Sequence, residues 1–199
     1  MPRRWHTTTI ALLLFVVLTP GWAAEKKEWV TLSNCQYVAG KDNDGDSFRV
    51  SCGTNELIVR LYFVDAPETN LRYPERTREQ SEYFGTTLDE TMKAGRKASD
   101  TVRELLQEPF VIRTRRASAA GRSTEPRYYA FVEMGGKSLA ELLVGQGLAR
   151  TKGVITNVPT GESWKAYAEK LHALESDARQ KRLGIWASSA EKIPGTQTR

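Results

Sequence analysis

Two short acidic segments, Asp44-Gly45-Asp46-Ser47 and Asp65-Ala66-Pro67-Glu68, are followed and preceded respectively by a β-branched strand that carries Arg60. Carboxylate oxygens hold hard divalent cations, and a guanidinium fork holds phosphate oxygens. Phosphodiester hydrolysis needs these parts: a metal site, a carboxylate to take a proton from water, and fixed positive charge facing the phosphate. Each part alone has a plainer reading. Asp-Gly is first of all a turn signal, and an arginine on a strand is commonly an ion pair. Asp42-Asn43-Asp44-Gly45-Asp46 superficially suggests an EF-hand loop, but that loop needs Gly at its sixth position and Glu at its twelfth. Those positions are Ser47 and Gly53, which excludes it.

The elements that must position these groups are legible. Glu28 to Val38 and Ser47 to Cys52 read as strands around the Asp-Gly turn, and Glu56 to Val64 as a third. In that third strand Leu57, Val59, Leu61 and Phe63 share one face, and Ile58, Arg60, Tyr62 and Val64 the other. An arginine on a half-apolar face needs an anionic partner. Thr69 to Glu90 is polar with little periodicity and reads as a long mobile loop. Leu88, Met92, Ala98, Val102, Leu105 and Leu106 recur at helical spacing until Pro109. Phe110 to Arg115 and Arg127 to Met134 are strands, and Ser138-Leu139-Ala140-Glu141 is a capping box opening a short helix. A short strand over Ala149 to Ile155 follows, then a helix with an apolar stripe from Trp164 to Leu183, closed by Gly184. Five strands with helices appended predict a small barrel of the OB type with three helices, a fold that often binds oligonucleotides.

With both acidic segments and Arg60 in order, the chain resembles the staphylococcal nuclease (thermonuclease) family, whose pattern is D-G-D-[TS] followed by R-L-x-x-[VI]-D-[TA]-P-E. This chain has Asp44-Gly45-Asp46-Ser47 and Arg60-Leu61-Tyr62-Phe63-Val64-Asp65-Ala66-Pro67-Glu68. The likeness continues through Gly95-Arg96-Lys97-Ala98-Ser99, Arg127-Tyr128-Tyr129-Ala130-Phe131-Val132, Gly147-Leu148-Ala149 and Leu183-Gly184-Ile185-Trp186. It implies that Asp46, Asp65 and the Ala66 carbonyl bind Ca²⁺, and that Glu68 accepts a proton from the attacking water or orients it. Arg60 and Arg127 would hold the phosphate, and Asp44 would belong to the turn. The implied activity is hydrolysis of DNA and RNA, preferably single-stranded, leaving 3′-phosphates. An alternative of another class is a catalytically silent OB-fold module that binds nucleic acid or protein.

The flanks depart from the family. D-x-Y-G-R becomes Ser123-Thr124-Glu125-Pro126-Arg127, so a lysine and a tyrosine that contact a terminal phosphate are replaced by Thr124 and Glu125. Two tyrosines of the nucleotide pocket align with Gly153 and Ile155, removing stacking surface worth about 1–3 kcal/mol per base. Arg113, Arg115, Arg116 and Arg122 lie on or beside the strand pair leading to Arg127, and read equally as contacts to the phosphate backbone or as a solvated edge.

Residues 1–24 read as a secretory signal: Arg3 and Arg4, an apolar run from Ile10 to Leu18 shorter than the about 20 residues of a membrane span, then Pro20 and small residues. The expected organisation is a domain over 25–188 and a disordered tail over 189–199, in the periplasm or the medium. Losing Arg3 and Arg4 takes the net charge from +5 to +3, compatible with a polyanionic partner. No membrane association and no obligate protein partner are expected of the mature chain. Export permits a disulfide between the two cysteines, Cys35 and Cys52, which flank the acidic turn almost symmetrically. With no CxxC spacing and only His172 outside the leader, soft-metal chemistry is disfavoured.

Overall fold

The structure is a computed structural model that describes residues 28–119, 121 and 125–189. The expected leader, the tail beyond Ser189, Arg122 and Thr124 lie outside the described residues. In chain order the elements are β1 (Val30–Val38), β2 (Ser47–Cys52), β3 (Asn55–Leu61), β4 (Val64–Asp65), α1 (Pro74–Phe84), α2 (Leu88–Leu105), β5 (Phe110–Ser118), β6 (Arg127–Met134), β7 (Lys137–Ser138), α3 (Leu139–Gly145), β8 (Arg150–Thr151), α4 (Trp164–Gln180) and a 3-10 turn (Gly184–Ser188).

Strands pair in the order β3-β2-β1-β5-β6, and a parallel pairing of β3 with β6 joins the two ends. The result is a ring of five strands, the OB architecture. Inward-facing Phe48, Val50, Val59, Leu61, Ile112 and Val132 fill it, and Leu139, Leu143 and Leu171 of α3 and α4 pack onto the same core. A smaller cluster of Phe84, Ala178, Ile185 and Trp186 ties the end of α1 to α4 and the 3-10 turn.

Three expectations are corrected. The segment from Thr69 to Glu90 is not a loop: most of it is α1 and the start of α2, so there are four α-helices where three were expected. The buried face of α1 is Thr77, Gln80, Ser81 and Phe84, three of them polar. No apolar stripe exists for periodicity to find. The third strand does not run unbroken to Val64. Phe63 adopts a left-handed φ of 66° and turns the chain, so Val64–Asp65 leaves the barrel and pairs with Arg150–Thr151 in a separate two-stranded sheet. The strand expected over Ala149 to Ile155 is reduced to those two residues.

Gly45 is also more than a turn residue. The loop between β1 and β2 is held by Asp44 Oδ1, which accepts from the backbone N–H of Asp46 at 3.1 Å and Ser47 at 2.6 Å. A Cβ at Gly45 would lie 2.7 Å from the Cβ atoms of both Ala66 and Ala98. Glycine is there because the two acidic segments and α2 press together.

Cys35 and Cys52 sit opposite each other in the β1–β2 register and are disulfide-bonded. The bridge spans 17 residues of sequence and closes a loop around the first acidic segment. By loop-closure entropy a bridge of this span stabilises the fold by about 3 kcal/mol. Reduction, or Cys35→Ser with Cys52→Ser, is expected to lower the urea midpoint of unfolding by an amount equivalent to about 2–4 kcal/mol. An unchanged midpoint would show that the barrel holds the acidic loop without the bond.

Candidate active site

Asp46 precedes β2 and Asp65 ends β4, and both carboxylates are buried, with residue exposures of 2% and 3%. Burying ionised carboxylates without partners costs several kcal/mol each. Their partners define the site. Arg60 pairs with Ser47 across β2–β3, and its Nη2 lies 3.1 Å from Asp46 Oδ2 and 3.3 Å from Asp65 Oδ1. The two carboxylates therefore converge on one cationic nitrogen. Asp46 Oδ2 also accepts from the Ala66 N–H at 3.0 Å, which locks the two acidic segments together.

Asp65 is the more crowded group. Besides Arg60, its Oδ1 accepts from Arg76 Nη2, while Oδ2 accepts from Gln80 Nε2 at 3.1 Å and Arg150 Nε at 2.9 Å. Arg150, 1% exposed, faces Asp65 in the β4–β8 register, continues to Glu79, and lies 4.7 Å from the Tyr83 ring centroid. Gln80 orders the second acidic turn: its Nε2 also donates to the Ala66 carbonyl at 2.9 Å, and its Oε1 accepts from the Glu68 N–H at 2.8 Å. Arg76, one helical turn before Gln80, places Nε on the Glu68 carboxylate. Arg76, Glu79, Gln80 and Arg150 were not found from sequence. The readable signal was Pro74 at a helix start, which would have placed residues 76 and 80 on one face.

The electrostatics follow from these contacts. The charge of Asp46 raises the Arg60 pKa above its ordinary value, with burial opposing. Burial works against the charge of Arg76, but Asp65, Glu68 and Asp46 outweigh it and raise its pKa. Asp44 is raised well above the usual carboxylate value, first by burial and then by the neighbouring charge of Asp46. The hydrogen bond from Arg150 holds Glu79 down at about 2, against a smaller opposing effect of burial.

Arg127 begins β6, in parallel register with Ile58. Its Nη1 donates to Ser47 Oγ at 3.3 Å and its Nε to the Ala119 carbonyl at 3.0 Å. The fold thus brings together Asp46, Asp65, Arg60 and Glu68, and sets Arg127 beside them through Ser47. The basic cluster is divided. Arg113 pairs with Glu133, Arg115 lies 4.4 Å from the Trp29 ring centroid, Arg116 is exposed, and Arg122 is outside the described residues. Glu125 does not stand as bare negative charge, because Arg49 meets both its oxygens at 2.9 and 2.8 Å. Gly153 has a φ of 141° and lies against Val64, and Ile155 is exposed, so neither supplies a stacking ring.

A family model for the staphylococcal nuclease homologue matches residues 58–188, well over half of the chain. The chain belongs to the staphylococcal nuclease family. The match begins within β3, so it covers Arg60, Asp65, Glu68 and Arg127 but not Asp46. Asp46 joins the same cluster on geometry, through its contacts to Arg60 and Ala66. No curated protein matches the chain. The family consists of nucleases, and its domain implies a nucleic-acid substrate.

Among the described residues no group of three or more His, Cys, Asp or Glu side chains is arranged to hold a metal ion. The donors that do converge are hard oxygens, Asp46 Oδ2 and Asp65 Oδ1 on a shared point, while the Ala66 carbonyl is held by Gln80, which also donates to Asp65 Oδ2. These suit a hard divalent cation whose other ligands are water, once Asp65 gives up a guanidinium donor.

Gly95 on α2 fixes how closely the second acidic turn lies. A Cβ there would stand 2.4 Å from the Glu68 carbonyl and 2.5 Å from that of Pro67. Gly95→Ala is expected to destabilise the protein by about 1–3 kcal/mol in urea melts, overriding alanine's helix preference. A neutral or stabilising result would mean that the turn is not clamped. Glu79 tests the Arg150 link through pH. Its pKa is depressed from 4.5 to about 2, so its contribution is present above about 4.5 and fades as pH falls towards 2. Glu79 is 48% exposed, and solvent screening limits that contribution to about 1 kcal/mol or less. Melts of Glu79→Gln against the parent should differ at pH 7 and converge near pH 2.

Proposed function

We propose that the chain is an exported, Ca²⁺-dependent endonuclease that hydrolyses phosphodiester bonds of DNA and RNA, single strands by preference, and leaves 3′-phosphates. The observation that carries this reading is the convergence of Asp46 Oδ2 and Asp65 Oδ1 on the Nη2 of Arg60, with Glu68 on the adjoining turn. Two buried carboxylates turned toward one point are the arrangement that supports a cation site here.

Asp46, Asp65 and the Ala66 carbonyl would hold Ca²⁺, which when bound supplies positive charge against a phosphate oxygen and favours ionisation of nearby water. Glu68 accepts the proton of the attacking water, or holds that water in line with phosphorus. Arg60 releases part of its hold on the carboxylates to meet the phosphate, where its fork offsets charge developing on the equatorial oxygens. Arg127, steadied by Ser47 and Ala119, meets the phosphate from the other side. Thr124, Glu125, Gly153 and Ile155 leave the substrate's far end without the family's phosphate and stacking contacts, so grip falls on the scissile phosphate and on the exposed Arg116.

The N-terminal apolar run and the Cys35–Cys52 bond both support export, since disulfides persist in oxidising compartments. Among the described residues no helix is long and apolar enough to cross a membrane. The competing reading, a catalytically silent module, is favoured by one observation, that four side chains already occupy Asp65.

Purified protein lacking residues 1–24 is expected to cleave single-stranded DNA with Ca²⁺ and to stop with EGTA. Glu68→Gln should lower the rate by about 10²–10⁴-fold, and Arg60→Ala by about 10²–10³-fold. Absence of Ca²⁺-dependent cleavage at micromolar enzyme would falsify the nuclease reading in favour of the silent module.

A further inference from the structure

One side chain stands in the way of the reaction just described. Arg76 places Nη2 on Asp65 Oδ1, the oxygen that converges with Asp46, and Nε on Glu68. A single guanidinium therefore covers both a carboxylate meant for the cation and the carboxylate meant for the water. Arg60 and Arg150 also reach Asp65, but they are held elsewhere. Arg60 is anchored on a barrel strand and bonded to Asp46, and Arg150 is buried and bonded to Glu79. Arg76 has its side chain 37% exposed, and its side-chain polar contacts are those to Asp65 and Glu68. It is the arginine best able to leave.

We propose that Arg76 is an internal counter-ion that sets the cation affinity of this site, excluding a divalent cation from Asp65 until it withdraws. The inference rests on the assignment of Asp46 and Asp65 as cation ligands. Three guanidinium groups around Asp65 already answer its charge, so a divalent cation entering with all three in place would leave the cluster over-neutralised. Withdrawal of Arg76 removes one positive charge, frees a lone pair on Asp65 and uncovers Glu68 in the same movement. Cation binding and readiness of the base are thereby one event. Gln80, a helical turn away, keeps the acidic turn in shape whether or not Arg76 is bound. Phe84 anchors α1 in the cluster with Ala178, Ile185 and Trp186, so the exchange needs only a side-chain movement.

The test measures binding in the absence of nucleic acid: calorimetric titration of Ca²⁺, and Tb³⁺ luminescence, on the intact chain and three variants. Arg76→Gln is expected to tighten binding at least tenfold. Arg76→Lys, a point charge that does not span Asp65 and Glu68 together, should fall between the parent and Arg76→Gln, and it stands as the second measure should Arg76→Gln fail to fold. Arg78→Gln removes the same charge from the same helix, but Arg78 pairs with Glu75 in solvent, so less than a twofold change is expected. If Arg76→Gln tightens binding no more than Arg78→Gln, or if neither parent nor variants bind either ion, the proposal is overturned. Because no cleavage is measured, failure of the nuclease reading would be seen separately, as tightened binding in a protein that does not cut DNA.

Discussion

Two carboxylates with almost no contact with solvent govern the arrangement of this molecule. Asp46 and Asp65 are charged groups in a place where charge is expensive, and leaving a buried charge without its partner costs about 3–5 kcal/mol. The partners arrive on several elements: Arg60 on β3, Gln80 and Arg76 on α1, Arg150 on β8, and the Ala66 amide on the segment itself. The barrel, the second sheet and the first helix meet where those charges have to be answered. A site satisfied this fully is stable without a ligand, and ligand must displace something to enter.

The close approach that makes this possible comes from small residues. Gly45, Ala66, Gly95 and Ala98 allow the acidic segments to lie against each other and against α2 with no side chain between them. The corner at Phe63 then takes Asp65 out of the barrel and into register with Arg150. Without that corner, Asp65 would fall on the inward face with Val59 and Leu61, and no pairing with β8 would bring Arg150 to it. Site geometry here is a packing result as much as an electrostatic one.

The protein differs from the pattern of its family more around Arg127 than around the two acidic segments. Arg113 is bound to Glu133, Arg115 lies over Trp29, and Arg49 balances Glu125, so several charges that looked available are engaged within the fold. Such pairs contribute little to stability when exposed, but they decide which charges a polyanion meets.

Most of the barrel was legible in the sequence because β-branched alternation, the capping box at Ser138 and the stripe of α4 are local signals, and local signals survive folding. Asp46, Arg60, Asp65 and Glu68 were legible for a related reason, since their types and order lie within one hairpin and the strand after it. Helix α1 was not, because its buried face is Thr77, Gln80 and Ser81, which looks polar until the acidic turn beneath it is known. Arg76 and Arg150 were invisible as site residues because their partners lie 11 and 85 positions away. The sequence by itself determined the barrel, the two acidic segments and the arginine between them. Only the tertiary structure decided what Asp65 holds, because a buried carboxylate takes its partners from whichever elements the packing brings within a hydrogen bond, and spacing along the chain carries no record of that.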